Sequence, residues 1–328
     1  MKVIEIIKRS IKKLLKVWYL EIKSWKMVMI MQNDIIKEIL KKCDISYSSL
    51  TKSKSGFTNN VYFIDNCYVI KFSNDENIKE KLEKEITIYK NLDLSYIPKY
   101  IASGNYNDYK YLIITKINGK SLYSIWHTLS EKERTNIIIE IAKIIKSFHQ
   151  INGDFLTGYN ATSFRKHIKN ELLKIIEKLQ KLNLNVKCLQ DILNKSFDKL
   201  FCDIKIGLVY NDLHFDNFIY DGEKVYLIDF DRTIITSLDY DMMIFKTMCE
   251  NPSKFANEED EDNIIDSEYK NIYQIFRANY KELFANKFTD DRIFIYQFIY
   301  LINQAIECKD IKLVKQELQK FNLYFMKS

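Results

Sequence analysis

Apolar and polar positions recur along the chain with two periods, and the changes of period divide it. The first thirty residues, MKVIEIIKRSIKKLLKVWYLEIKSWKMVMI, place Ile7, Ile11, Leu14, Trp18, Ile22, Trp25 and Met29 at helical spacing. Lys8, Arg9, Lys12, Lys13, Lys16, Lys23 and Lys26 mostly occupy the other faces, so the pattern predicts a basic amphipathic leader helix over 1–31. A short helix is expected at about 33–43. The segments SYSSLTKS, NVYFID and CYVIKFS then read as strands between turn residues. NIKEKLEKEITIYKNL predicts a helix at 77–92, and KYIASGNY and KYLIITKI predict two more strands. From Lys120 helical spacing takes over, with helices expected near 120–127, 130–150, 161–181 and 187–200. Further helices are expected near 237–250, 260–284, 288–304 and 308–326. Between the two blocks lie two short strands, NFIYD and KVYLIDF, joined by an Asp221-Gly222 turn. The expected fold class is α+β in two lobes: a small antiparallel-sheet lobe over 32–117 and a larger, mostly helical lobe over 118–328.

Composition changes this picture little. A chain of 328 residues with 47% apolar and 29% charged residues is globular and can bury a sizeable core. Its 7 Gly and 2 Pro are few, which agrees with long helices. No apolar run reaches the roughly 18 residues of a membrane-spanning helix. The six cysteines form no CxxC pair, so they read as free thiols of a reducing, cytoplasmic compartment and not as a zinc site.

Charge changes it more. The net +6 belongs to the leader, because residues 1–30 carry eight Lys/Arg and two Glu, and the rest of the chain balances 42 basic against 42 acidic residues. A nucleic-acid footprint spread over the body is not expected. Lysines interrupt every apolar stretch of the leader, so it is not a secretory signal. Its pattern fits a helix lying on an anionic membrane surface. It also fits a helix docked on the body or on a second subunit, or translation upstream of a start near Met31.

The chemistry concentrates in LVYNDLHFDNFIYDGEKVYLIDFDRT, residues 208–233, which sets five aspartates between strongly apolar runs. Carboxylates in such surroundings are costly unless something pairs with them. A solvated turn is one reading and a metal-assisted phosphoryl-transfer site is the other. Asp212 is followed five positions later by Asn217, and twelve further on by Asp229 at the end of an apolar strand. In such a site the loop aspartate orients or accepts the proton of a substrate hydroxyl. Asn217 and Asp229 would hold Mg²⁺ between them, brought together by the hairpin.

Upstream parts of such a site can be sought. Lys71 in YVIKF has apolar neighbours on both sides, a costly place for an unpaired ammonium. It is either an outward lysine on an edge strand or a clamp for nucleotide phosphates. Glu85 lies fourteen residues later and shares a helix face with Leu82, Ile88 and Tyr89, so it is the expected partner in preference to Glu80 or Glu83. KSKSGFTNNVY carries one glycine, Gly56, in a polar turn that a phosphate-covering loop would resemble; no GxxxxGK[ST] loop occurs. His127, His149 and His167 are scattered and read as packing or surface residues.

The set Gly56-Phe57-Thr58-Asn59-Asn60, Lys71, Glu85, ITKINGKSL, IAKIIKSFHQI, YNDLHFDN and LIDFDR resembles, in order and spacing, the aminoglycoside phosphotransferase and choline kinase superfamily. The resemblance covers about 45–250 clearly and the C-terminal helices loosely. It implies a protein-kinase-like fold and transfer from ATP, or GTP, with Mg²⁺ to a small-molecule hydroxyl. It further implies Asp212 as catalytic base, Asn217 and Asp229 as metal ligands, and Lys71, held by Glu85, as phosphate clamp. Gly56, Thr58 and Asn59 would cover the phosphates, Thr115 and Ile117 would belong to the hinge that meets the base, and His214 would brace the loop or approach the phosphates. The family's loop opens His-x-Asp, where this chain has Tyr210-Asn211-Asp212; the histidine braces the loop backbone, a role tyrosine can take. Asp241 matches an aspartate of structural role, and Asp231 would reach a metal or cap the loop.

The expected acceptor is an aminoglycoside or related amino or sugar alcohol, with a choline or ethanolamine type as alternative. A kinase-like nucleotide-binding protein without turnover is a further alternative. The acids of NEEDEDNIIDSEYKNIY would suit a polycation, or equally a solvated helix start. No APE segment follows LIDFDR, so a protein kinase is not expected.

Overall fold

The computed structural model describes residues 32–53 and 60–327, so the leader and the Gly56 loop lie outside the described residues. The described residues begin with helix α1 over 32–42. Five strands follow, β1 (Leu50–Lys52), β2 (Asn60–Ile64), β3 (Tyr68–Ser73), β4 (Tyr100–Tyr106) and β5 (Tyr109–Thr115), with α2 (Glu76–Asn91) between β3 and β4. They form one antiparallel sheet in the order β1-β2-β3-β5-β4. The β2–β3 turn, closed by the Cys67 N–H on the Ile64 carbonyl at 2.9 Å, places Asp65 and Asn66 at φ +48° and +55°, a left-handed conformation that Asp and Asn tolerate well.

Both faces of this sheet are covered, which explains why YLII in β5 is continuously apolar and does not alternate. Tyr111 and Ile113 join Ile70, Phe72 and the α1 residues Ile36, Ile39 and Leu40. Leu112 and Ile114 turn the other way, to Leu82, Ile86, Ile88 and Tyr89 of α2. Lys71 is directly opposite Leu112 in the ladder and so points to the α2 face.

The rest is mostly helical. A strand stub β6 (Lys120–Ser121) leads into α3 (Leu122–Ile125), then α4 (Glu131–Phe148) starts at a capping box made by Ser130 and Glu133. α5 (Ala161–Lys181) matches its expected span. α6 (Lys187–Asp191) and α7 (Phe197–Leu200) replace one expected helix, separated by a π turn at Ile192–Ser196. α8 (Met242–Glu250), α9 (Ile272–Asn279), α10 (Thr289–Glu307) and α11 (Ile311–Lys327) complete the chain. The helix expected over 260–284 is instead a series of 3₁₀ turns around the short α9. Among the described residues no helix is long and apolar enough to cross a membrane.

Two small antiparallel sheets interrupt the helices. β8 (Phe218–Tyr220) and β9 (Val225–Leu227) form the expected hairpin, and β6 adds to it. β7 (Ile206–Val209) pairs with β10 (Ile234–Ser237), a ladder absent from the expected elements. The second pair encloses the first in sequence. Together they present the segment 210–217 and the segment 228–233 side by side.

Candidate active site

Lys71 is the centre of the site. Its Nζ lies 2.6 Å from Glu85 Oε1 and 3.2 Å from Asp229 Oδ1, with 8% of the residue exposed. The β3–β5 register aims the lysine at α2, and Glu85 is fully buried on the facing side of that helix. Burial opposes the ammonium, yet the Asp229 and Glu85 carboxylates outweigh it and hold Lys71 above its ordinary pKa. Burial pushes Glu85 up to about 7, against the pull of Lys71 and with help from Asp229. Glu83, the rejected alternative, pairs with Lys110.

The β8–β9 hairpin sets Asn217 beside Asp229. Phe218 pairs with Leu227, and the Ile228 N–H donates to the Asn217 carbonyl at 3.0 Å, one residue before Asp229. Asp229 itself sits at φ +64°, a left-handed conformation that turns its carboxylate back to Lys71. Asp231, two residues on, is 3.6 Å from Lys81 of α2.

On the adjacent loop, the Asn217 amide nitrogen donates to the Asp212 carbonyl at 2.9 Å and to its Oδ2 at 3.1 Å. His214 Nε2 is 3.4 Å from the same Oδ2 and 3.1 Å from the Asn217 nitrogen. Arg232 Nη1 approaches Asp212 Oδ1 at 3.6 Å. Burial raises the Asp212 carboxyl, but His214, Arg232 and Asn217 more than offset this and leave it below its ordinary pKa. Asp212 is therefore a carboxylate at neutral pH.

The loop is braced from behind. The Tyr210 hydroxyl donates to the Ile228 carbonyl at 2.5 Å, tying this loop to the one that ends in Asp229. The fully buried Asp241 accepts from the Tyr210 N–H at 3.2 Å and the Asn211 N–H at 2.5 Å, with Asn211 at φ +63°. His149 Nε2 lies 2.8 Å from Asp241, and its Nδ1 lies 3.1 Å from the Tyr280 hydroxyl. His149 is thus a buried strut behind the loop, more than the packing or surface residue its isolation in sequence implied.

The remaining expected residues fall further out. Thr115 ends β5, three residues beyond the Leu112 that faces Lys71, roughly 10 Å along the strand. Its hydroxyl accepts from the Lys99 N–H at 2.9 Å, and Ile117 follows it. Gly56, Thr58 and Asn59 lie outside the described residues. The acids of 258–268 do not form one wall: Glu268 pairs with Arg134 at 2.7 Å, while Asp260 is buried and held by Asn257 at 2.8 Å. Sequence reasoning missed Arg232; its only signal was its place three residues after Asp229.

The model of a family described as the phosphotransferase enzyme family matches residues 49–267. No curated protein matches by sequence. Among solved structures, the chain is similar to the streptomycin–ATP–APH(2″)-IIa ternary complex, with 21% identity, TM-score 0.60, and 86% of this chain and 95% of that chain covered. It is also similar to the GDP complex of aminoglycoside 2′-phosphotransferase-IIIa, with 16% identity, TM-score 0.60, and 87% and 95% covered. A choline/ethanolamine kinase family protein from Mesorhizobium loti shares the fold at 10% identity, TM-score 0.50, with 88% and 94% covered.

Proposed function

Because the chain belongs to the phosphotransferase enzyme family, we propose that it transfers the γ-phosphoryl group of ATP, or of GTP, to a hydroxyl of a small amino or sugar alcohol of the aminoglycoside type. The observation that carries this reading is the meeting of Lys71, Glu85 and Asp229, with Asp212 and Asn217 hydrogen-bonded on the neighbouring loop. The similar solved structures hold ATP or GDP, and aminoglycosides, which agrees with both halves of the reaction.

The donor set suits Mg²⁺, which takes one or two protein oxygens and completes its shell with phosphate oxygens and water. Asp229 offers a carboxylate. Asn217 turns its amide nitrogen to Asp212 and His214, which leaves its oxygen on the opposite side of the amide. Bound there, the ion would neutralise charge on the nucleotide phosphates. Lys71, positioned by Glu85, would contact the α- and β-phosphate oxygens. Asp212, kept ionised, would accept a hydrogen bond from the acceptor hydroxyl and align it with the γ-phosphorus. Arg232, next to Asp212, would place positive charge where the transferred group passes.

The test is nucleotide consumption in Mg²⁺ by the wild type and by Asp212→Ala, across aminoglycosides, amino sugars, choline and ethanolamine. Asp212-dependent stimulation by one acceptor supports the reading and names the acceptor class. Equal rates for the two proteins would overturn it.

A further inference from the structure

Resting on that reading, a second link between α2 and the metal-holding segment runs beside the one through Glu85. Lys81, Glu85 and Tyr89 are spaced four residues apart and form one stripe along the helix. The stripe meets three consecutive residues after β9. Glu85 holds Lys71, which reaches Asp229 at 3.2 Å. The Tyr89 ring stands nearly perpendicular to the Phe230 ring, at 5.3 Å and 86°. Lys81 Nζ lies 3.6 Å from Asp231 Oδ2. The Asp231 side chain is only 11% exposed, and among the described residues Lys81 is the one cation within 4.0 Å of its carboxylate. A carboxylate so enclosed is costly without a partner. Asp229 lies two residues away, so two like charges also repel along this segment. Lys81 offsets both effects.

Asp229 depends on how this backbone is held. Its side chain is 42% exposed and has Lys71 as its ion-pair partner, so its direction follows mainly from its left-handed backbone at φ +64°. Phe230 and Asp231 anchor that backbone on the following side. We infer that Lys81 is a positioning residue: by holding Asp231 against α2 it fixes the backbone of 229–231, and with it the direction in which Asp229 offers its carboxylate to Mg²⁺. Asp231 is then a tether to α2 and not a second metal ligand. A lysine here could instead touch phosphate oxygens directly. The two roles separate by what they require. A direct contact acts on the nucleotide with or without metal, whereas positioning of Asp229 acts only when the metal is held.

The experiment is calorimetric titration of the full chain with a non-hydrolysable ATP analogue, once in Mg²⁺ and once in EDTA. Lys81→Met should bind the Mg²⁺-loaded analogue about tenfold more weakly than wild type, with the affinity in EDTA unchanged. Lys81→Arg, which keeps the pair, should restore most of the affinity. Asp231→Asn should lose a similar amount. Lys81→Met/Asp231→Asn strands neither charge, so it should fold as wild type does and lose no more than either single variant. An equal loss in Mg²⁺ and in EDTA, no loss in Lys81→Met, or a double variant that loses the sum of the two single losses would overturn the inference. Failure of the transfer reading would show separately, as wild-type affinity indifferent to Mg²⁺ and nucleotide consumption that does not depend on Asp212.

Discussion

Lys71 and Asp229 are 158 residues apart in the chain and 3.2 Å apart in the folded protein. One comes from the centre of the five-stranded sheet, the other from the turn after the β8–β9 hairpin. Their contact joins the sheet to the mostly helical part at the point where nucleotide phosphates would bind.

The Lys71–Glu85 pair is buried, so removing one partner strands the other. Lys71→Met should destabilise the protein by about 3–5 kcal/mol, read from urea unfolding. The double variant Lys71→Met/Glu85→Leu should recover most of that loss without recovering nucleotide binding. A double variant no more stable than the single one would contradict the pairing energetics.

Asp212 carries a pH prediction. Its folded-state pKa lies below the ordinary value, so its contribution to stability is present above that ordinary value and is lost as pH falls through the folded one. The rate should accordingly show no Asp212 titration at neutral pH, with the acid limb below about pH 4. Arg232→Met removes one of the charges that lower it and should move the limb upward. Asp212→Asn should lower kcat by roughly 10²–10⁴ and, because it lacks that stabilising charge, should also lower the thermal midpoint at neutral pH slightly.

Asp229 is best tested by Asp229→Asn, since asparagine tolerates the positive φ that alanine resists. Its Mg²⁺-nucleotide affinity should fall, while affinity for nucleotide with the metal chelated should change little. Titration with and without EDTA separates the two. An equal loss in both would count against a metal-holding role.

His149 acts on the site only through Asp241. His149→Ala should cost about 1–3 kcal/mol, because it leaves a buried carboxylate short of a donor. kcat should fall with the nucleotide KM unchanged, since the phosphate-facing residues stay in place. His149→Asn, which retains a donor, should recover part of kcat. A change confined to KM would show that the strut does not reach Asp212.

Much was legible in local pattern. The 3.6-residue period marked α5 to the residue, and the apolar run of β5 marked a strand covered on both faces. Helical face arithmetic singled out Glu85, and the Asp212, Asn217 and Asp229 spacing with an intervening turn marked one compact segment. These features arise from interactions between residues close in sequence, or from one element facing one environment, so the amino-acid order alone expresses them.

Tertiary structure decided the rest. β7 and β10 are four-residue strands too short to declare themselves, and each is stabilised by the other across an intervening hairpin. The segment 260–284 has helical composition, yet Glu268 pairs with the distant Arg134 and the segment runs as turns around the short α9. His149 and Asp241 lie 92 residues apart, and neither announces the other. Arg232 becomes a neighbour of Asp212 only because the β7–β10 ladder sets their two segments side by side. Each of these is a pairwise energy between distant residues, and such terms exist only once the core has brought the chain back upon itself.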